Sequence, residues 1–142
     1  MQKEVKQYII VRRDLGMNAG KLAAQAGHAC MKVFFDKMSS EPVVSPHPGQ
    51  NEVFMRYSFD ANLEETIWIE GKFTKITKGV KSEAKLMDVY NKAKEAGLNV
   101  SLIKDAGIFG LEGENYTVVA VGPNYVDKCE PIVGKLRLLT DL

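Results

Sequence analysis

The sequence predicts an α/β fold: a single layered domain over residues 1–142, with a mixed sheet of about four strands flanked by helices. Three observations predict it. Apolar, β-branched runs of strand length alternate along the chain with helical patterns, the arrangement that builds layered α/β domains. The 142 residues suit one domain, able to bury roughly two-thirds of the surface its unfolded chain exposes. A content of 45% apolar and 26% charged side chains belongs to a globular chain rather than a disordered or collagen-like one.

Val5 to Arg12 encloses the run Ile9-Ile10-Val11 and reads as a largely buried strand. Asp14 to Asn18 breaks the pattern, and Ala19 to about Lys37 resumes as an alanine-rich helix with Asn18 as its N-cap. From Ser39 to Gly71 the signals are weak. Pro42, Pro46, Pro48 and Gly49 mark a loop, Val53 to Phe59 suits a short strand, and Leu63 to Glu70 suits a helix. Lys72 to Val80 alternates as a half-exposed strand, and Ser82 caps a helix in which Leu86, Val89, Tyr90 and Ala93 share a face before Gly97 ends it. Leu98 to Lys104 and Tyr116 to Val121 are the next strands, with a turn at Asp105-Ala106-Gly107 and a stop at Gly122-Pro123. Tyr125 to about Val133 forms a short final helix.

Nineteen basic and eighteen acidic side chains leave a net charge of +1, which excludes a protein that coats nucleic acid indiscriminately. No apolar run reaches membrane-spanning length and no signal-peptide core opens the chain, so a cytoplasmic protein without a membrane partner is expected. Cys30 and Cys129 are expected to be reduced thiols, and with His28 and His47 the only histidines, no metal site is expected.

On the first helix, Gln25, His28 and Lys32 fall at about 40°, −20° and 20° from Lys21 at ~100° per residue, one narrow polar stripe. Leu22, Ala26, Ala29 and Val33 cover one flank, and Ala23, Gly27, Met31, Phe34 and Met38 the other, which predicts a helix packed on two sides with the stripe left open. A stripe of this kind is most simply a solvent-facing seam. Lys21 argues for more, because it lies in the first turn, where free backbone N–H groups and the helix dipole already favour an anion. Gly16 to Leu22 is one residue short of a phosphate-binding loop and has leucine where a magnesium-holding hydroxyl belongs, which excludes a nucleotide triphosphatase.

Asp105 follows one strand as Asp14 follows another, and if those strands run parallel and close, Asp105 faces Lys21. The simpler reading is an Asx turn onto Gly107. Lys72, Lys75, Lys78 and Lys81 are read as a solvated strand edge or, alternatively, a phosphate track. Trp68 is read as a core residue and His47 as exposed.

The run Arg12-Arg13-Asp14-Leu15-Gly16-Met17-Asn18-Ala19-Gly20-Lys21-Leu22-Ala23-Ala24-Gln25-Ala26-Gly27-His28-Ala29 resembles the signature of the type 2 peptidyl-tRNA hydrolases, R-x-D-L-x-M-x-x-G-K-x-A-A-Q-x-x-H-A, with its spacing unbroken. Leu102 to Gly107 is similar to the family's strand and D-A-G turn, and Thr117 to Pro123 to its next strand and G-P stop. The resemblance covers about residues 5–38 and 72–139 and leaves a divergent segment at 39–71. It implies a homodimeric enzyme that cleaves the ester between a peptide and the 3′ end of tRNA, with peptidyl-tRNA as its partner, no cofactor and no metal. Carried over residue by residue, it implies Lys21, Asp105 and His28 as catalytic, and Gln25, Gly20, Arg12 and Phe109 as substrate-binding. After the D-A-G turn the family continues Arg-Thr-Gln-Ile-Ala-Pro-Gly, whereas this chain has Ile108-Phe109-Gly110-Leu111-Glu112-Gly113-Glu114. The family's catalytic threonine is therefore Phe109 here, which implies a changed substrate or a weakened activity. The other reading is a binding module for an RNA end, a nucleotide or a protein that kept the fold and lost turnover.

Chemically, Lys21 and the helix N-terminus would supply a positive field for an oxyanion, and Asp105 beside a lysine would be a weak base that orients rather than abstracts. Gln25 and His28 would position the terminal ribose or the peptide carbonyl. Lys21, on this reading, is an exposed first-turn residue that contributes little to stability.

Overall fold

In the computed structural model, residues 3–43, 49, 52–56, 63–105 and 115–141 are described. β1 (Val5–Arg12) leads into α1 (Ala19–Phe35), and β2 (Ser39–Val43) and β3 (Glu52–Arg56) pair as an antiparallel ribbon. α2 (Glu64–Glu70), β4 (Lys75–Val80), α3 (Glu83–Glu95), β5 (Val100–Asp105), β6 (Asn115–Tyr125), α4 (Val126–Val133) and β7 (Arg137–Leu138) follow. The main sheet has the order β5-β6-β1-β4-β7, with β1 and β4 parallel and every other pair antiparallel.

The expected four strands become five because β7, two residues long, pairs Lys78 with Leu138 and Gly79 with Arg137. A segment that short has no periodicity to read. Pro42, expected in a loop, lies within β2, where the two-stranded ribbon has outer edges that need no donor from it. His47, on the connection, lies outside the described residues.

β1 is the spine. Tyr8, Ile9, Ile10 and Val11 are all buried, because α1 covers one face and α3 and α4 cover the other. Tyr8 and Ile10 pack with Leu86, Val89 and Val133, while Ile9 and Val11 pack with Ala29, Val33 and Ile103. β6 contributes to both layers, Val119 and Val121 to the first and Val118 and Ala120 to the second. The period-two alternation of strand side chains thus makes two cores from one sheet.

Gly122-Pro123 does not stop β6, which continues to Tyr125. The pairing with β1 is irregular between Lys6 and Tyr8, and Gly122, at φ 102°, lies where a Cβ would meet the Lys6 carbonyl oxygen. A bulge with glycine at the crowded position carries the strand onward. Gly97, at φ 73°, follows the Ala96 C-cap of α3, the place of a helix-ending glycine.

The lysine run divides. Lys72, Lys75 and Lys81 are exposed, but Lys78 is buried and donates to the carbonyls of Val133 (2.8 Å) and Gly134 (3.4 Å) at the end of α4. It is neither solvated edge nor phosphate track at that position, because a lysine there satisfies carbonyls that the helix leaves open. Trp68 is buried as expected, stacked on Phe34 at 5.9 Å, with its indole N–H donating to the Thr74 carbonyl at 2.8 Å.

α2 is fastened by two acids in its first turn. Glu64 accepts from the Asn124 side chain (2.7 Å), the Tyr125 amide (2.9 Å) and Lys128, while the Asn99 side-chain amide donates to Glu65 (2.7 Å) and the Pro123 carbonyl (2.8 Å). Burial works against the Glu64 charge, but the bonds from Lys128, Asn124 and Tyr125 together hold its carboxyl below the usual value of 4.5. A depressed carboxyl adds stability above its unfolded value and loses it as pH falls through the folded one. Glu64→Gln should therefore lower the melting temperature at neutral pH, and the gap to the parent should close below about pH 4.5. Melting curves across that range measure it, and a constant gap would contradict the assignment.

Candidate active site

The site begins with the way the β1–α1 loop is held. Arg12, at the end of β1, donates to both carboxylate oxygens of Asp14, from Nε at 3.1 Å and Nη2 at 2.6 Å. Its Nη1 donates to the Tyr116 carbonyl at 3.1 Å. The Arg12 side chain holds the Asp14 carboxyl below the usual carboxylate range through this hydrogen bond, and the fork geometry fixes both side chains. Arg12 therefore clamps the loop to β6. Beyond it, Asn18 is the N-cap, its Oδ1 accepting from the Lys21 amide at 2.8 Å.

β5 and β1 run in the same direction with β6 between them, so their carboxyl ends share one edge of the sheet. From the end of β5, Asp105 meets Lys21, with Oδ1 and Nζ 2.5 Å apart. Both side chains are nearly buried, at 10% and 4% exposure. The exposed lysine expected from the sequence is thus corrected, since a first-turn position that would face water on an isolated helix is covered by the end of β5.

One turn along, Gln25 is also buried, and its Oε1 accepts the Thr117 hydroxyl at 2.7 Å. His28 is exposed on the next turn. Asn18, Gly20, Lys21, Ala24, Gln25 and His28 line a hollow of about 280 Å³. A Cβ on Gly20 would meet only Asn18 Oδ1, at 3.6 Å, which is ordinary contact, so the fold does not require glycine there.

The polar stripe therefore divides. Lys21 and Gln25 turn toward the sheet, and the flank expected to pack, Ala23, Gly27 and Met31, is exposed, Met31 to 53%. A single sheet offers one face, so of the second flank Phe34 is packed, on Trp68 of α2, while Ala23, Gly27 and Met31 are left to solvent. Phe109 and Ile108, with the proposed Asx-turn partner Gly107, lie outside the described residues.

Two residues take a part that the sequence reading did not assign. Asn18 lines the hollow as well as capping the helix, and the 18-21-25-28 spacing, repeating every three or four residues, carries that signal. Thr117, named only as the start of a strand, anchors Gln25, as a buried polar residue in a β-branched strand needs a partner.

Other nucleophile chemistry is absent from the hollow. Cys30 and Cys129 are free, and burial, with added repulsion from nearby acids, pushes the Cys129 thiol up to about 12. Among the described residues no group of three or more His, Cys, Asp or Glu could hold a metal, and no helix is long and apolar enough to cross a membrane.

The family model for peptidyl-tRNA hydrolase PTH2 matches residues 5–139. The chain belongs to this family. Two archaeal relatives, each called peptidyl-tRNA hydrolase, match nearly end to end. That of Methanocaldococcus jannaschii is 36% identical over 135 residues, covering 95% of this chain and all of the relative. That of Aeropyrum pernix is 41% identical over 135 residues, covering 94% of each. A solved structure of a protein of unknown function from Agrobacterium tumefaciens strain C58 aligns with a TM-score of 0.54 at 11% identity, over 98% of this chain and all of that one. That likeness concerns the fold alone. The PTH2 match spans residues 39–71, so the divergent segment lies inside the family domain.

Removing one member of a nearly buried ion pair costs about 3 kcal/mol, chiefly through the charge left behind. Lys21→Ala should therefore destabilise the protein by roughly that amount in urea, and Lys21→Met with Asp105→Leu should recover most of it. A Lys21→Ala variant as stable as the parent would show that the pair carries no such penalty.

Proposed function

We propose that the protein is a peptidyl-tRNA hydrolase that cleaves the ester between a peptide and the 3′ end of tRNA, without a metal or other cofactor. The observation that carries this reading is the Lys21–Asp105 pair at the N-terminus of α1, bordering a hollow whose other polar groups are Asn18, Gln25 and His28. Membership of PTH2 supplies the substrate class.

Ester hydrolysis needs a positioned carbonyl, an attacking water and stabilisation of the oxyanion that forms. The first-turn amides of α1 and the Lys21 ammonium give a fixed positive field, and Asp105 holds the ammonium in place. Asp105 is a positioning group in this scheme rather than the proton acceptor. With Oε1 of Gln25 engaged by Thr117, its Nε2 is the end that donates to a substrate carbonyl or ribose hydroxyl. Gly20 leaves space beside Asn18 for the ester, and exposed His28 contacts the ribose or relays a proton at the rim. Arg12, bonded to Asp14 and Tyr116, acts on substrate through the loop that it fixes. The family resemblance adds Phe109 as a substrate-contacting residue.

This chemistry belongs to translation in the cytoplasm. The homodimer is supported by the apolar face of α1, where Met31 and Phe35 are 53% and 49% exposed beside Ala24 and Gly27. Light scattering should give twice the monomer mass, reduced to the monomer by Met31→Lys; a monomeric parent would remove the dimer from the scheme.

Purified protein should release the N-acetylamino acid from N-acetylaminoacyl-tRNA, and Thr117→Val should cut kcat/KM by about tenfold, equivalent to 1.4 kcal/mol, while the fold is kept. RNA bound without turnover would favour the non-catalytic module instead.

A further inference from the structure

On the other side of the β1 terminus, the carboxyl end of β4 opens into a groove of about 340 Å³ lined by Gly79, Val80 and Leu136 and by five cations, Arg13, Lys81, Lys85, Lys135 and Arg137. All five are exposed. They come from three separate stretches of chain, at residue 13, residues 81–85 and residues 135–137, and of the five only Lys81 belongs to the lysine run that the sequence offers as a phosphate track. Among the described residues, only Arg13 has a carboxylate partner, Asp141 at 2.8 Å.

The groove is built rather than incidental. A Cβ on Gly79 would collide with the Arg13 stem, at 2.6 Å from Cδ and 2.9 Å from Cγ, so the glycine is what lets Arg13 cross β4. Lys81 and Lys85 flank the Ser82 cap of α3, where the helix dipole disfavours cations unless an anion joins them. Glu83, the acid of that first turn, lies 3.7 Å from Arg12. No aromatic ring lines the groove, so nothing there would stack on bases or anchor a protein partner. Arg13 also borders a second hollow, with Gly16, Met17, Leu22 and Asp141, beside the β1–α1 loop.

We infer that this groove binds the phosphodiester backbone of the RNA whose 3′ ester enters the Lys21–Asp105 hollow, an inference that rests on the hydrolase reading. Repeated phosphates, a sequence-independent polyanion, match a cluster of five cations, four of them without a carboxylate partner among the described residues, and no aromatic platform. The groove carries the polynucleotide while the hollow receives the ester.

The test uses the full chain and Lys81→Ala/Lys85→Ala/Lys135→Ala, residues outside the proposed catalytic hollow. A labelled acceptor-stem RNA duplex should bind the parent with a log affinity against log salt slope of about −3 to −4, and the triple variant with a slope shallower by about 2 to 3 and affinity at least tenfold lower. KM for N-acetylaminoacyl-tRNA should rise about tenfold at unchanged kcat, while hydrolysis of the same ester on a CCA trinucleotide, which lacks the stem, should not change. Equal affinity and slope for parent and variant would overturn the groove. So would displacement of the duplex by polyglutamate at matched charge, since the groove would then be a general anion surface. If the parent binds the duplex through these lysines yet hydrolyses neither ester, the hydrolase reading falls and the RNA groove stands.

Discussion

β1 is covered by helices on both faces, so polar chemistry near it has to sit at its ends. Tyr8 to Val11 fill the two cores, Gln7 and Arg12 bound them, and the buried amide and guanidinium are held to backbone carbonyls. The features that build the proposed site gather at the carboxyl edge: the clamp from Arg12 to Asp14, the cap at Asn18 and the start of α1. Antiparallel β6 lies between β1 and β5, which points β5 the same way and delivers Asp105 to that edge.

The Lys21–Asp105 pair shows what such a position costs. Removing two charges from water is opposed by several kcal/mol per ion, and mutual attraction rarely repays all of it, so the pair is poorly explained as a stabilising device. A charged couple kept at the mouth of a hollow makes sense as a preorganised field, because dipoles fixed by folding need no reorganisation when charge develops on a bound ester. The Thr117–Gln25 bond follows the same logic, since it selects which end of an amide faces the hollow before any ligand arrives.

The opposite end of the sheet uses buried polar groups for attachment instead. Glu64 and Glu65 on α2 meet Asn99, Asn124, Lys37 and Lys128, fastening to the rest of the fold a short helix that has no side-chain cap of its own. The two ends differ in what their polar groups meet. The carboxyl edge opens into the hollow and the basic groove, whereas the α2 carboxylates are taken up by partners within the fold.

By itself the sequence determined the local elements and the family. The Ile9-Ile10-Val11 run, Asn18 ahead of an alanine-rich helix, Ser82 and Gly97 around α3, and the unbroken R-x-D-L to H-A spacing are short-range signals, and the structure bears out those elements with ends shifted by a few residues. The conjecture that Asp105 faces Lys21 was also legible, because two strands of like direction end at one edge. Tertiary structure alone decided how deep each residue lies. Whether Lys21 is exposed depends on a strand more than 80 positions away, and whether Lys78 is solvated depends on the end of α4. The fifth strand, two residues long, exists only as a partner for β4, and the basic groove exists only because three distant stretches converge. Burial and convergence are properties of long-range packing, which a helical or strand period, set by near neighbours, does not encode.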